Sequence, residues 1–154
     1  LGALSNLKLP HDFDAQFFRS LVLARPTIVK FDLGLCNIDN ESLKIICEGL
    51  RLEHLDLSFN DSSLAADHHS AIEVIVESPC AQTLRSLEVA YAPQFSSRDV
   101  LRLVRGCPEL AEFQWESQSD ESGLDQNVDG ANIAAIDALL RSRGGRASGA
   151  ADYL

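Results

Sequence analysis

The chain has 154 residues, of which 45% are hydrophobic, and this is enough for one domain with a continuous core. Its formal net charge of −10 argues against sequence-independent binding to nucleic acid or to an anionic membrane, because both need clustered Lys and Arg. The sequence contains no run of about 18 apolar residues and no signal peptide, so it predicts no membrane-spanning segment.

A short pattern of apolar residues recurs along the chain, starting at residues 4, 28, 52, 84 and 110. The best copy, Leu52–Asn60, has the form L-x-x-L-x-L-x-x-N, and the copy starting at Leu4 is the weakest. Starts separated by 24, 24, 32 and 26 residues predict units that bury their apolar faces against one another. In the best copy Leu55 and Leu57 alternate with polar residues, which predicts a strand with one buried face. We expect strands near residues 4–9, 28–33, 52–57, 84–89 and 110–115.

Segments with helical periodicity lie between the predicted strands. The first covers Asp12–Arg25, and the second should begin with Asn40 as its N-cap. The third ends at Ser78, just before a proline, and the fourth opens at Ser97. This alternation of strands and helices predicts an α/β protein with a parallel sheet.

The pattern resembles the leucine-rich repeat family over roughly residues 4–118. The resemblance implies a leucine-rich repeat solenoid with a curved parallel sheet on its concave side and helices on its convex side. Family members carry an Asn or Cys at the turn after each strand, and Cys36 and Asn60 match this position, whereas the next two copies depart from it. The helical outer segments and Gly106–Leu110, with its Cys-Pro pair, are similar to the ribonuclease-inhibitor-like and cysteine-containing subclasses. The latter is common in F-box proteins of ubiquitin ligases.

Four regions follow from this organisation. We expect repeats over 1–118, an acidic loop over 119–130, a closing helix over 131–142 and a flexible tail over 143–154. The first strand would leave one end of the solenoid uncovered, and such ends are normally capped. We therefore expect further repeats or another domain before Leu1 in a longer protein.

The four cysteines form no C-x-x-C pair and occupy similar places in different repeats. They are Cys36, Cys47, Cys80 and Cys107. We interpret them as small buried core residues in a reducing, intracellular compartment, the alternatives being a zinc site or a disulfide framework.

Motifs for catalysis are absent from the sequence, so we expect no enzymatic activity and no cofactor. Two partial metal motifs occur. His69 and Glu73 would share a helix face, but polar and acidic residues are ordinary near a helix N-terminus. Asp125–Gly130 matches the first half of a calcium loop, yet its twelfth position is Ile136 instead of the required Glu. We expect no metal at either place.

Aligning the copies places outward-facing residues in columns across the sheet. The central column is Lys8, Asp32, Asp56, Glu88 and Gln114, the adjacent column is Asn6, Lys30, His54, Ser86 and Glu112, and the edge column is His11, Leu35, Phe59, Tyr91 and Ser117. Acidic residues on adjacent strands repel unless a cation lies over them, and aromatic residues beside a charged row are typical of protein-binding surfaces. The candidate partner-binding residues are Asp32, Leu35, His54, Asp56, Phe59, Glu88, Tyr91 and Glu112. The alternative is an ordinary charged surface with Phe59 buried under its turn.

The expected partner is another protein that presents basic residues, with no small-molecule substrate. The favoured function is that of a scaffold or adaptor, and such a protein could be a subunit of a larger assembly. A substrate-recognition domain of an F-box-type ubiquitin ligase is an alternative that an F-box upstream of Leu1 would decide. A non-catalytic regulator of an enzyme such as a small GTPase is a further alternative, because some ribonuclease-inhibitor-like repeat proteins act in this way.

Overall fold

The computed structural model describes residues 6–8, 13–24, 27–36, 38–58, 68–89, 96–115 and 130–149, with the backbone alone for 6–8, 68–70 and 146–149. The strands are β1 (Asn6–Lys8), β2 (Lys30–Asp32), β3 (His54–Asp56), β4 (Ser86–Glu88), β5 (Glu112–Trp115) and β6 (Arg146–Gly149). The α-helices are α1 (Ala15–Ala24), α2 (Asn40–Gly49), α3 (His68–Glu77), α4 (Ser97–Gly106) and α5 (Gly130–Ser142). A short 3₁₀ helix, Pro79–Gln82, follows α3.

The six strands form one parallel sheet whose spatial order is the order along the chain. A parallel pair needs a crossover connection, and each of the five connections contains one α-helix. The protein is therefore α/β with a parallel sheet, as the sequence predicted. Each of the five predicted strand ranges contains one of the strands β1 to β5.

The register of the sheet confirms the alignment of the repeats. The central column pairs across five strands as Lys8, Asp32, Asp56, Glu88 and Gln114. The adjacent column pairs as Asn6, Lys30, His54, Ser86 and Glu112. A slip of one residue would exchange the apolar and polar faces of a strand, so the alternating pattern of the sequence determines this register.

One core lies between the sheet and the helices, and the three apolar positions of the repeat fill the sheet side of it. The first positions are Ile28, Leu52, Leu84 and Leu110, all fully buried. The second are Phe31, Leu55, Leu87 and Phe113, and the third are Leu33, Leu57, Val89 and Trp115. Full burial of such a side chain contributes about 1.5–3 kcal/mol, so the repeat supplies much of the stability of the sheet.

The units share a detail of backbone geometry where each strand opens. The carbonyl oxygens of Val29, Glu53 and Arg85 each accept two N–H groups at 2.8–3.0 Å, donated by the first residue of the following strand and by the residue before it. Three consecutive units thus have the same local conformation, which supports the repeat interpretation of the sequence.

The helix starts follow capping rules, with one correction to the prediction. Asp39, not Asn40, is the N-cap of α2, because its Oδ1 accepts a hydrogen bond from the Ser42 N–H at 2.7 Å. Both residue types are good N-caps, so composition alone did not decide between neighbours. Helix α4 begins at Ser97 as predicted, and Ser96 and Asp99 form a capping box at its start.

The C-terminal region differs from the prediction. We expected a flexible tail over 143–154, but Arg146–Gly149 form β6 and pair with β5. Gly144 has a φ of +79° and the Gly145 N–H donates to Leu140 O at 2.9 Å, which together end α5 in the manner of a Schellman motif. A Cβ atom at Gly145 would overlap the carbonyl oxygen of Ala111, so glycine lets the chain approach the edge of β5.

Arg143 adds a second connection between the end of the chain and the preceding unit. Its Nη1 donates to three backbone carbonyl oxygens, those of Val104 and Cys107 at 3.0 Å and that of Leu110 at 2.9 Å. These carbonyls lie at and beyond the C-terminus of α4, where a helix leaves acceptors without intrahelical partners. Arg143 therefore holds α5 and β6 against the fourth unit, which consists of β4, α4 and the segment that leads to β5.

Candidate functional site

The candidate site is the polar face of the sheet, which the helices do not cover. On strands β2 to β5, the side chains of the central and adjacent columns are half-buried or exposed, in contrast to the buried residues between them. Neighbouring strands are about 4.8 Å apart, so the carboxylate-bearing residues of β2, β3 and β4 follow one another closely. The structure thus brings Asp32, Asp56 and Glu88 into one row, with Glu112 in the adjacent column on β5.

The two aspartates of this acidic row have a local structural role that we did not predict. Asp32 Oδ1 accepts a hydrogen bond from the Gly34 N–H at 3.0 Å, and Asp56 Oδ1 accepts one from the Ser58 N–H at 2.8 Å. Each aspartate therefore forms an Asx turn that ends its strand and orients its carboxylate. The signal in the sequence is Asp two residues before Gly or Ser, which is the spacing of an Asx turn.

Electrostatic repulsion is present within the row. Burial raises the pKa of Glu88, and the carboxylates of Asp56, Asp32 and Glu112 raise that pKa further. These four acidic residues consequently form one electrostatic group, although they come from four strands. Among the described side chains of the two columns, Lys30 is the one Lys or Arg on this face. The row itself is acidic, whereas the backbone register places Lys8 beside Asp32 and Lys30 in the adjacent column.

His54 lies in the adjacent column between Lys30 and Ser86, and its side chain is half-buried. The backbone register also places Arg146 of β6 beside Glu112. Arg146 belongs to a strand that the sequence pattern does not predict, so this basic position next to the acidic group was not among the expected site residues.

Leu35 lies in the turn that follows β2, beside the acidic row. Its side chain is 69% exposed and its φ is +62°. Its N–H donates to Ser58 O at 3.0 Å, which attaches the turn to the next unit. The other members of the predicted apolar stripe, Phe59 and Tyr91, lie outside the described residues, so the stripe and the possible burial of Phe59 remain predictions.

All four cysteines are buried and none forms a disulfide, as we expected for core residues. A hydrogen bond with Cys80, together with burial, raises the pKa of Cys47 well above its ordinary value. Burial and the neighbouring Cys80 raise the pKa of Cys107 to about 12. Buried thiols that keep their protons are poor nucleophiles and poor metal ligands.

The metal motifs of the sequence gain no support within the described residues. In the described ranges of the chain, no group of three or more His, Cys, Asp or Glu side chains is arranged to hold a metal ion. Glu73 forms an ion pair with Arg102 of α4. The candidate calcium loop lies outside the described residues except for Gly130, where α5 begins.

Comparison with known proteins adds no assignment: no family model matches the chain, and no curated protein matches it. Of the helices that the structure describes, none is both long and apolar enough to cross a membrane.

Proposed function

We propose that this chain is a leucine-rich repeat solenoid that acts as a non-catalytic protein-binding module, a scaffold or adaptor. The polar face of the sheet is its concave binding surface, and the partner is a protein segment that presents Lys or Arg. The observation that carries the proposal is the row formed by Asp32, Asp56 and Glu88 on three adjacent strands.

This row has an energetic cost in the isolated protein. Like charges on neighbouring strands are destabilising, and burial first and this repulsion second raise the pKa of Glu88. A cationic side chain over the row would remove the repulsion. The bound state therefore offers a gain that the free protein lacks.

The dimensions of the sheet favour an extended segment. Five strand spacings of about 4.8 Å give a width of about 24 Å. An extended chain advances about 3.4 Å per residue, so roughly seven residues would cross the whole face. A segment of this length can place cations over several members of the row.

The test is position-specific photo-cross-linking in a lysate of the source cells. A photoreactive residue in place of Ser86 would lie on the polar face, whereas the same residue in place of the exposed Ala134 on α5 serves as the control position. We expect a cross-linked partner from the first position and none from the second. Cross-linking from Ala134 alone would refute the proposal.

A charge variant provides the second part of the test. Asp32→Asn, Asp56→Asn and Glu88→Gln together remove the charge while Asn can still accept the turn hydrogen bonds. The matched control neutralises three exposed glutamates elsewhere: Glu48→Gln, Glu77→Gln and Glu109→Gln. The first triple variant should lose the cross-link and the control should keep it. Rising salt should weaken the wild-type complex, because screening lengths fall from about 8 Å to about 3 Å between 0.15 M and 1 M salt.

A further inference from the structure

The turn after β2 contains two unusual features at one residue. Leu35 is the one non-glycine residue with positive φ among the described residues, and its side chain is 69% exposed. An exposed leucine alone has little significance. A bulky residue in the left-handed region is uncommon, and such strain persists where the surroundings enforce it.

The surroundings do enforce this conformation. The Gly34 N–H donates to Asp32 Oδ1 at 3.0 Å, the Leu35 N–H to Ser58 O at 3.0 Å and the Cys36 N–H to Leu33 O at 3.2 Å. Three consecutive N–H groups are thus bonded, and these bonds restrain the turn. Leu35 is held in place with its apolar side chain directed outward.

The glycine of this turn is not the residue that has the left-handed conformation. Gly34 does not have a positive φ, whereas Leu35, the next residue, does. Gly34 instead lies against the acidic row, because a Cβ atom there would be 3.2 Å from Asp32 Oδ1 and 3.6 Å from Asp56 Oδ2. Glycine or asparagine at position 35 would relieve the strain, so leucine is present at the expense of stability.

We propose that Leu35 is the apolar anchor of the binding face and selects partners in which a large apolar side chain is flanked by Lys or Arg. The proposal rests on the proposed function and specifies its partner. The geometry behind it is the short distance between the turn and the two aspartates, which lets one segment contact Leu35 and the acidic row together. An apolar side chain that is already fixed beside carboxylates lets one partner segment make apolar and ionic contacts with little ordering cost on this side of the interface.

The experiment is a selection of peptides from a random dodecapeptide library on the wild-type protein, followed by affinity measurements with the enriched peptide. The test variant is Leu35→Asn, since Asn tolerates the left-handed region. The control is Leu23→Asn, which removes another exposed leucine, 86% exposed on α1. The charge-neutral triple variant of the acidic row is measured in parallel.

We expect the enriched peptides to combine an apolar residue with neighbouring Lys or Arg. Leu35→Asn should weaken binding of the peptide by about tenfold or more and raise the Tm by about 2–4 °C, because strain is removed with the anchor. Leu23→Asn should leave binding unchanged. Leu35→Gly should weaken binding in the same way.

Two outcomes would overturn the inference and leave the proposed function intact. In the first, the peptide binds Leu35→Asn as tightly as wild type but loses affinity for the triple variant. In the second, Leu35→Asn lowers the Tm, which would show that leucine is needed for folding. If no peptide is enriched, or if the triple variant binds the peptide as wild type does, the proposed function itself is refuted.

Discussion

Replacing Arg143 by methionine should loosen the C-terminal end of the protein. The change keeps the length of the aliphatic side chain and removes the three contacts of Nη1 with the carbonyl oxygens of Val104, Cys107 and Leu110. A hydrogen bond to a charged group contributes about 1.5–3 kcal/mol. One nitrogen with two hydrogens serves all three acceptors, so the contacts do not add, and we expect a total loss of about 2–3 kcal/mol.

Urea unfolding and thermal melting measure this loss. For a protein of this size, a loss of 2–3 kcal/mol corresponds to a fall in Tm of about 4–12 °C. Hydrogen exchange should become faster first in the amides of α5 and β6, because Arg143 connects these elements to the fourth unit. Arg143→Lys should retain part of the stability, since an ammonium group can still donate to these carbonyls.

Arg141→Met is the matched control, because this arginine lies on the last turn of α5, two residues before Arg143, and its side chain is 75% exposed. Its ion pair with Asp137 is an exposed helix pair that contributes about 0.3–0.5 kcal/mol. If Arg143→Met unfolds within about 0.5 kcal/mol of this control, the carbonyl contacts do not stabilise the chain end and our reasoning is wrong.

Three further predictions concern other positions. Gly145→Ala should destabilise the protein by about 1–3 kcal/mol in urea unfolding, because its Cβ would overlap the Ala111 carbonyl oxygen. Gly130→Ala is the control, because no atom lies within 4 Å of a Cβ at that position, and it should differ from wild type by no more than about 0.5 kcal/mol. Because the pKa of Glu88 is raised in the folded state, its charged form destabilises that state above the raised pKa, and protonation removes the effect as the pH falls. Glu88→Gln should therefore be more stable than wild type near pH 7 by roughly 0.3 kcal/mol, given solvent screening, and equal to it near pH 4; a difference that persists at low pH would contradict this. The pKa of about 12 and the burial of Cys107 predict that iodoacetamide labels its thiol at the rate of unfolding, and rapid labelling of the native protein would show that the thiol is accessible.

Much of the fold was predictable because the apolar pattern restricts the register. Leu55 and Leu57 must face the core together, so Asp56 must face away from it, and the same holds in each unit. The in-register pairing of Asp32, Asp56 and Glu88 was therefore predictable from the sequence.

The last strand was not predictable from its own residues. Arg146–Gly149 contains one apolar residue, Ala147, and shows no alternation that would indicate a strand. Its place in the sheet depends on the glycines before it and on Arg143, whose contacts join residues more than thirty positions apart. The Gly-Gly pair after a helical segment was a usable sign of a tight helix end.

Within the candidate site, backbone conformation was the missing information. A glycine in a turn usually marks the left-handed residue, and here Gly34 precedes that residue instead of occupying it. The strain at Leu35 arises from hydrogen bonds to the next unit, which a local sequence pattern does not reveal.

The succession of helix contacts has a consequence for folding kinetics. Helix α1 packs against α2, α2 against α3, α3 against α4 and α4 against α5, while each strand pairs with the next along the chain. Closing any one of these contacts therefore joins segments only one unit apart, so the entropy of loop closure stays nearly constant as the structure grows. A nucleus formed by any two adjacent units could therefore be extended in either direction, one unit at a time.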